Sequence, residues 1–163
     1  MDEVFGVFPD LSWEFLDKEF TRLSFFEVVF NLSLFERTLL EEECDQLIFY
    51  QALDTEPHRE DEYIEAEKKL LNCYSYFRMA SKVFIYLEED LREIENAKYF
   101  LGILQKCIRN EEYALLLFPD TGLLVQLSHD MEAVCFLKKN SDLFKVEEAV
   151  QKSKLHMREL RKK

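Results

Sequence analysis

The chain has 163 residues, 48% of them hydrophobic, and a formal net charge of −12; this composition suits one folded domain and excludes an intrinsically disordered chain. It contains only 3 Gly and 3 Pro, so few positions break a helix, and this scarcity favours a mainly α fold. The charge is uneven, because residues 1–137 hold 12 Lys and Arg against 29 Asp and Glu, whereas residues 138–163 hold 9 against 4. An acidic body repels phosphate, so nucleic-acid binding by residues 1–137 is not expected.

Cysteine spacing and the first residues bear on the cellular compartment. The four cysteines lie 28 to 34 residues apart and form no C-x-x-C pair, which argues against a zinc site or a redox motif. The N-terminal residues show no signal-peptide pattern, and no 18-residue uncharged apolar run predicts a membrane span. We therefore expect free thiols and a cytoplasmic location, with the nucleus as an alternative.

The N-terminal 25 residues are predicted to hold an irregular apolar arm and one short helix. Residues 1–10 form the arm, since a glycine and a proline within it disfavour a helix. Asp10 or Ser12 then caps a helix that runs to about Phe20.

A second, longer helix is predicted from Ser24 to about Leu53. Ser24 and Glu27 have the spacing of a capping box, and the residues that follow are apolar on nearly every side of a helix. Such a helix must be covered all round, either at the centre of a bundle or by another chain. The second possibility gives the candidate partner-binding residues, which are Phe25, Phe26, Phe30 and Leu34.

The clearest helical periodicity runs from Tyr63 to Ile108, where apolar residues alternate at steps of three and four. One continuous helix of this length would span about 69 Å, too long for a compact domain of this size. We therefore expect two helices, broken near residues 88–90 or at Asn96. The alternative is one long helix paired in a dimer along this stripe.

The last third of the chain changes character. Two short apolar segments flank Pro119 and Gly122, a pattern that predicts a β-hairpin within residues 113–137, although a helical reading stays open. Residues 140–142 then cap a basic final helix over residues 143–163. The predicted fold is thus a single domain over residues 1–163, a bundle of five to six helices, with an α+β alternative if the hairpin forms.

Carboxylates are the only abundant catalytic material. No glycine-rich phosphate loop, nucleophile elbow or helical Glu-x-x-His pair occurs, so no cofactor is predicted. Several acidic residues sit at helical spacings that suit a divalent cation. The candidate metal ligands are Glu41, Glu42, Asp45, Glu62 and Glu65.

Three functions follow from these patterns. The first is a non-catalytic protein-binding module, including an acidic antagonist of the immunity type that neutralises a basic partner. The second is a divalent-metal hydrolase that acts on nucleotides or other phosphorylated small molecules. The third is a helical structural protein that self-associates along the 63–108 stripe. The expected partner is thus a protein or a second copy of the chain, and no membrane is expected.

Overall fold

A seven-stranded antiparallel sheet organises the chain in the computed structural model, which describes residues 26–39, 41–87, 90–127, 131–138 and 143–162. The sheet order is β3-β2-β4-β5-β6-β1-β7, so the first and last strands of the described chain lie side by side. The strands are β1 (Val28–Ser33), β2 (Phe84–Leu87), β3 (Asp90–Glu93), β4 (Leu115–Phe118), β5 (Leu123–Leu127), β6 (Ala133–Leu137) and β7 (His156–Lys162).

Three α-helices pack on one face of this sheet: α1 (Glu60–Ala80), α2 (Ala97–Ile108) and α3 (Leu143–Lys152). Short 3-10 helices lie before α1, at Glu41–Gln46, Tyr50–Asp54 and Pro57–Arg59, and another, Pro119–Thr121, joins β4 to β5. Buried side chains from all three helices and from the facing side of the strands form one continuous core. The described architecture is therefore a two-layer α+β fold.

The helix boundaries follow from local chemistry. Acidic residues fill the first turn of α1, where they complement the positive end of the helix dipole. The side chain of Asn96 caps α2 by accepting a hydrogen bond from the Tyr99 backbone N–H at 3.0 Å. Along α1, the buried positions Tyr63, Ala66 and Leu70 recur at three and four residues, which gives the helix one face on the core.

The opposite face of the sheet is also apolar. A second cluster of buried side chains lies there, separate from the core under the helices. Its members are Phe26, Phe84, Leu115, Leu117, Leu124 and Phe136. A sheet with two apolar faces must be covered on both sides.

The prediction of a bundle of five to six helices is wrong, since the described chain has three α-helices and a seven-stranded antiparallel sheet. The largest error is the helix from Ser24 to Leu53. The described part of that segment is β1 followed by two 3-10 helices. The apolar run at its start is explained by β1, which lies between β6 and β7 and has apolar side chains on both faces.

The 63–108 stripe does hold two helices, as expected, but a β-hairpin separates them. Strands β2 and β3 occupy residues 84–87 and 90–93, where the sequence continued the spacing of a helix. The stripe is thus divided. Its buried residues lie within one chain, Phe84 on the second face and the others in the core under the helices.

The C-terminal region corrects a further prediction and confirms another. The final helix begins at Leu143 but ends at Lys152, where Lys154 adopts a positive φ of 56° and turns the chain into β7. The predicted hairpin is present as β4 and β5, with Gly122 at a φ of 60° in the connecting turn. The predicted capping residues 140–142, the 1–10 arm and the helix ending at Phe20 lie outside the described residues.

Among the helices that the structure describes, none has the length and apolar character needed to span a membrane.

Candidate binding cavity

The predicted partner-binding residues are divided between the two faces of the sheet. Phe26 lies on the second face, where its ring is 5.4 Å from that of Phe136. Phe30 lies in β1 on the helical side and is fully buried. Leu34 is partly buried just after β1, and Phe25 lies outside the described residues. The two described phenylalanines thus serve the fold, and their role in partner binding stays an untested prediction.

The predicted metal ligands come from two elements that each contribute to the lining of one cavity. Glu41, Glu42 and Asp45 belong to the first 3-10 helix, and Glu62 and Glu65 belong to α1. Glu62 and Glu65 both line the cavity, and each forms an ion pair with a basic side chain, Arg59 and Lys69 respectively. Within the described part of the chain, no group of three or more His, Cys, Asp or Glu side chains is placed to hold a metal ion.

This cavity has a volume of about 440 Å³ and lies between the end of β1, the first half of α1 and the segment that connects them. Its apolar lining comes from Leu34, Phe35, Leu47, Ile48, Ala66 and Met131. Its polar lining comes from Gln46, Arg59, Glu62, Glu65 and Lys69. It therefore combines an apolar floor with a charged rim, the usual composition of a site that holds a ligand side chain.

Arg59 fastens the connecting segment to α1. Its Nη1 donates to the backbone carbonyl of Leu47 at 3.1 Å, and its Nε donates to Glu62 at 3.2 Å. The hydrogen bond with Glu62 is the main cause that raises the pKa of Arg59 above its ordinary value. The guanidinium of Arg59 thus fixes the positions of Leu47 in the cavity wall and of the Glu62 carboxylate at the rim.

A second polar cluster fixes the opposite wall of the cavity. Ser33, the last residue of β1, donates from its Oγ to Oε1 of Glu132 at 2.8 Å and accepts from the Phe35 backbone N–H at 3.1 Å. Arg158 of β7 donates to Oε2 of Glu132 at 2.6 Å. These bonds hold the exit of β1, which carries Leu34 and Phe35, against the residues before β6.

Met131, beside this cluster, adopts a φ of 56°, a region that residues other than glycine rarely enter. The conformation costs on the order of 1 kcal/mol, and the surrounding structure must hold it in place. Its side chain is only 4% exposed and forms part of the cavity wall. The strained backbone therefore directs an apolar side chain into the cavity.

The rim carboxylates are accessible to a partner. The side chains of Glu62 and Glu65 are 60% and 73% exposed, and the ion pair of each places a single carboxylate oxygen near its cation. A carboxylate offers several acceptor positions, so both can accept a further hydrogen bond from a basic group. The cavity and its rim therefore suit a partner segment that carries a basic side chain beside an apolar one.

The structure describes the side chains of three cysteines, and none of the three is suited to thiol chemistry. Cys73, Cys107 and Cys135 are all buried within the core. Burial raises the pKa of Cys73 and of Cys107 to about 12, which keeps both as neutral thiols at physiological pH.

The sequence signalled only part of this site. Leu34 and the pair Glu62 and Glu65 were each predicted as functional, but for different functions. Arg59 and Met131 were missed. The proline and acidic residues around Arg59 indicated a helix start, and nothing in the sequence indicated the positive φ at Met131.

Comparisons with family models, with curated proteins and with solved structures found no match to this chain.

Proposed function

We propose that this chain is a non-catalytic protein-binding module that accepts an apolar side chain of a basic partner segment. The observation that carries the proposal is the cavity itself, in which Leu34 and other apolar side chains form the floor and exposed Glu62 and Glu65 form part of the rim. The chain's net charge of −12 favours encounter with a basic partner.

The recognition has two physical parts. Removing an apolar side chain of the partner from water stabilises the complex by about 25 cal/mol for each Å² buried. The rim carboxylates then fix which residues may flank that side chain, because an acidic neighbour would be repelled and a basic one attracted. An acidic antagonist that binds and neutralises a basic protein is one example of such a module.

The same carboxylates were candidate metal ligands, and their surroundings favour the protein-binding role. Glu62 lies 3.2 Å from Arg59, and Glu65 lies 3.3 Å from Lys69. Within the part of the chain that the structure describes, no third His, Cys, Asp or Glu side chain joins these two carboxylates to complete a metal site.

The test uses fluorescein-labelled peptides in which leucine alternates with lysine, with leucine–glutamate and serine–lysine peptides for comparison. Fluorescence anisotropy should show binding of the leucine–lysine peptide alone, with an affinity that falls as salt is added. Leu34→Asp should abolish the binding, because it places a charge on the apolar floor.

The chain offers a matched control for the rim. Glu65 and Glu148 each form an exposed pair with a lysine four residues later, on α1 and α3 respectively. Glu65→Lys should weaken peptide binding about tenfold, or about 1.4 kcal/mol, whereas Glu148→Lys should leave it nearly unchanged. Equal weakening by both variants would mean that only net charge matters and would reject the cavity as the site.

A further inference from the structure

The second apolar face of the sheet is buried although no described helix lies on it. Its six core side chains, from Phe26 to Phe136, are between 0% and 5% exposed in a single chain. None of the side chains in this cluster comes from α1, α2 or α3. A face this apolar needs a cover of its own.

We propose that the segment of residues 1–25, which lies outside the described residues, docks on this second face and covers it. The other undescribed stretches hold four residues or fewer each, too few to shield six large side chains. The proposal therefore assigns the face to an intramolecular partner and not to a second copy or another protein.

The segment of residues 1–25 joins the described chain at the second face and is long enough to cross it. Phe26, the first described residue, is itself part of the second face and packs on Phe136. From β1 to β3 the sheet spans five strand spacings, or about 24 Å. Twenty-five residues can reach about 80 Å when extended, so even a compact segment crosses this distance.

The composition of the segment matches an apolar face. Twelve of its 25 residues are hydrophobic, and they include Trp13, the only tryptophan in the chain. Its charged residues are six acids and two bases, Lys18 and Arg22. It thus combines a large apolar content with an acidic remainder suited to the solvent side.

The register of the sheet identifies a position at which docking can be disturbed. Val134 of β6 lies on the second face, partly buried, between Gln126 of β5 and Asn31 of β1. The side-chain oxygens of Asn31 and Gln126 are buried and have no hydrogen-bond donor. A carboxylate at position 134 would add a further acceptor beside these two oxygens and would place a charge on a partly buried apolar face, opposite an acidic segment.

The experiment uses the full chain and the emission of Trp13. In the folded wild type, Trp13 should emit at a shorter wavelength than after unfolding in urea, and acrylamide should quench it several-fold less. Val134→Glu should shift the emission to longer wavelength and raise the quenching towards the unfolded value. Met79→Glu, on the exposed side of α1, should change neither.

Trypsin gives a second readout, because Lys18 and Arg22 are its only sites before Phe26. Cleavage there should be slow in the wild type and several-fold faster in Val134→Glu, while circular dichroism shows that the sheet persists. If Val134→Glu does not fold, the wild-type quenching and cleavage rates decide. Wild-type emission and cleavage equal to those of the unfolded chain would overturn the proposal, as would a folded Val134→Glu with unchanged Trp13.

Discussion

Glu67 and Arg109 form the least exposed ion pair between helices in the described residues, and it joins α1 to the end of α2. Arg109 Nε donates to Oε1 of Glu67 at 2.7 Å and Nη2 donates to Oε2 at 3.1 Å. The guanidinium also lies 4.8 Å from the centre of the Tyr50 ring. The hydrogen bond with Glu67 is the main cause that raises the pKa of Arg109, which stays charged at any pH at which the protein folds.

Glu67→Gln should lower the free energy of unfolding by about 2 kcal/mol, because the Arg109 guanidinium loses its charged acceptor in a partly buried site. Urea unfolding measures this difference. The control is Glu65→Gln on the same helix, whose pair with Lys69 is exposed and whose loss should cost about 0.5 kcal/mol or less. Equal losses in the two variants would show that burial of the pair contributes nothing.

The buried thiols make the free energy of unfolding depend on pH in the alkaline range. Burial raises the pKa of Cys107 from 9.0 to about 12, so between these values the unfolded chain releases a proton that the folded chain retains. The contribution of this thiol to the free energy of unfolding is therefore fully present below pH 9, and it is lost as the pH rises from 9 towards about 12. Cys107→Ala should reduce the slope of unfolding free energy against pH, above pH 9, by up to about 1.4 kcal/mol per unit. Parallel slopes for wild type and variant, measured by urea unfolding, would contradict this cause.

At the scale of the element, two glycines with opposite environments test how far local geometry determines stability. Gly102 lies inside α2, and an added Cβ would meet no atom within 4 Å. Gly122 has a φ of 60°, and its added Cβ would lie 3.2 Å from that of Lys138. Gly102→Ala should therefore stabilise the protein by about 0.5–1 kcal/mol, since alanine restricts the unfolded chain and favours the helix.

Gly122→Ala serves as the matched comparison and should destabilise by about 1 kcal/mol or more, because a left-handed conformation disfavours a side chain. Thermal unfolding of both variants measures the two signs. Stabilisation by both would mean that the turn between β4 and β5 relaxes freely.

The elements that were predicted correctly carry strong local signals. Pro119 and Gly122 marked the turn between β4 and β5, and a polar segment marked the start of α3. The strands that were missed carry ambiguous signals. Phe84, Leu87 and Leu91 follow helical spacing, yet Phe84 and Leu91 face one side of the sheet and Leu87 the other. A short apolar segment fits a helix or a doubly covered strand equally well, and only tertiary pairing decides between them.

The cavity was less predictable than the elements, because its walls meet only in the folded chain. Leu34 and Met131 are nearly a hundred residues apart in the sequence and are joined by the bonds of Ser33 and Arg158 to Glu132. Sequence spacing can place Glu62 and Glu65 on one helix face. It cannot show that an apolar floor lies beside them.

At the scale of the whole molecule, the sheet links distant parts of the chain. Strand β1 pairs with β6 and with β7, so residues near position 30 bond with residues near 135 and near 159. All three helices pack on the same core as these strands. A chain tied together in this way should unfold as one cooperative unit.

The prediction of a single domain is therefore tested by unfolding followed with two probes. Far-UV circular dichroism reports the helices and near-UV dichroism reports the packing of the aromatic side chains, and in urea the two transitions should coincide. Leu32→Ala, at a fully buried position in β1, should lower both midpoints equally, by about 3 kcal/mol in unfolding free energy. Phe144→Ala, at a largely exposed position on α3, should change neither midpoint appreciably. Separate transitions, or a Leu32→Ala effect confined to one probe, would divide the chain into two units, because β1 would then stabilise only the part of the molecule that it touches.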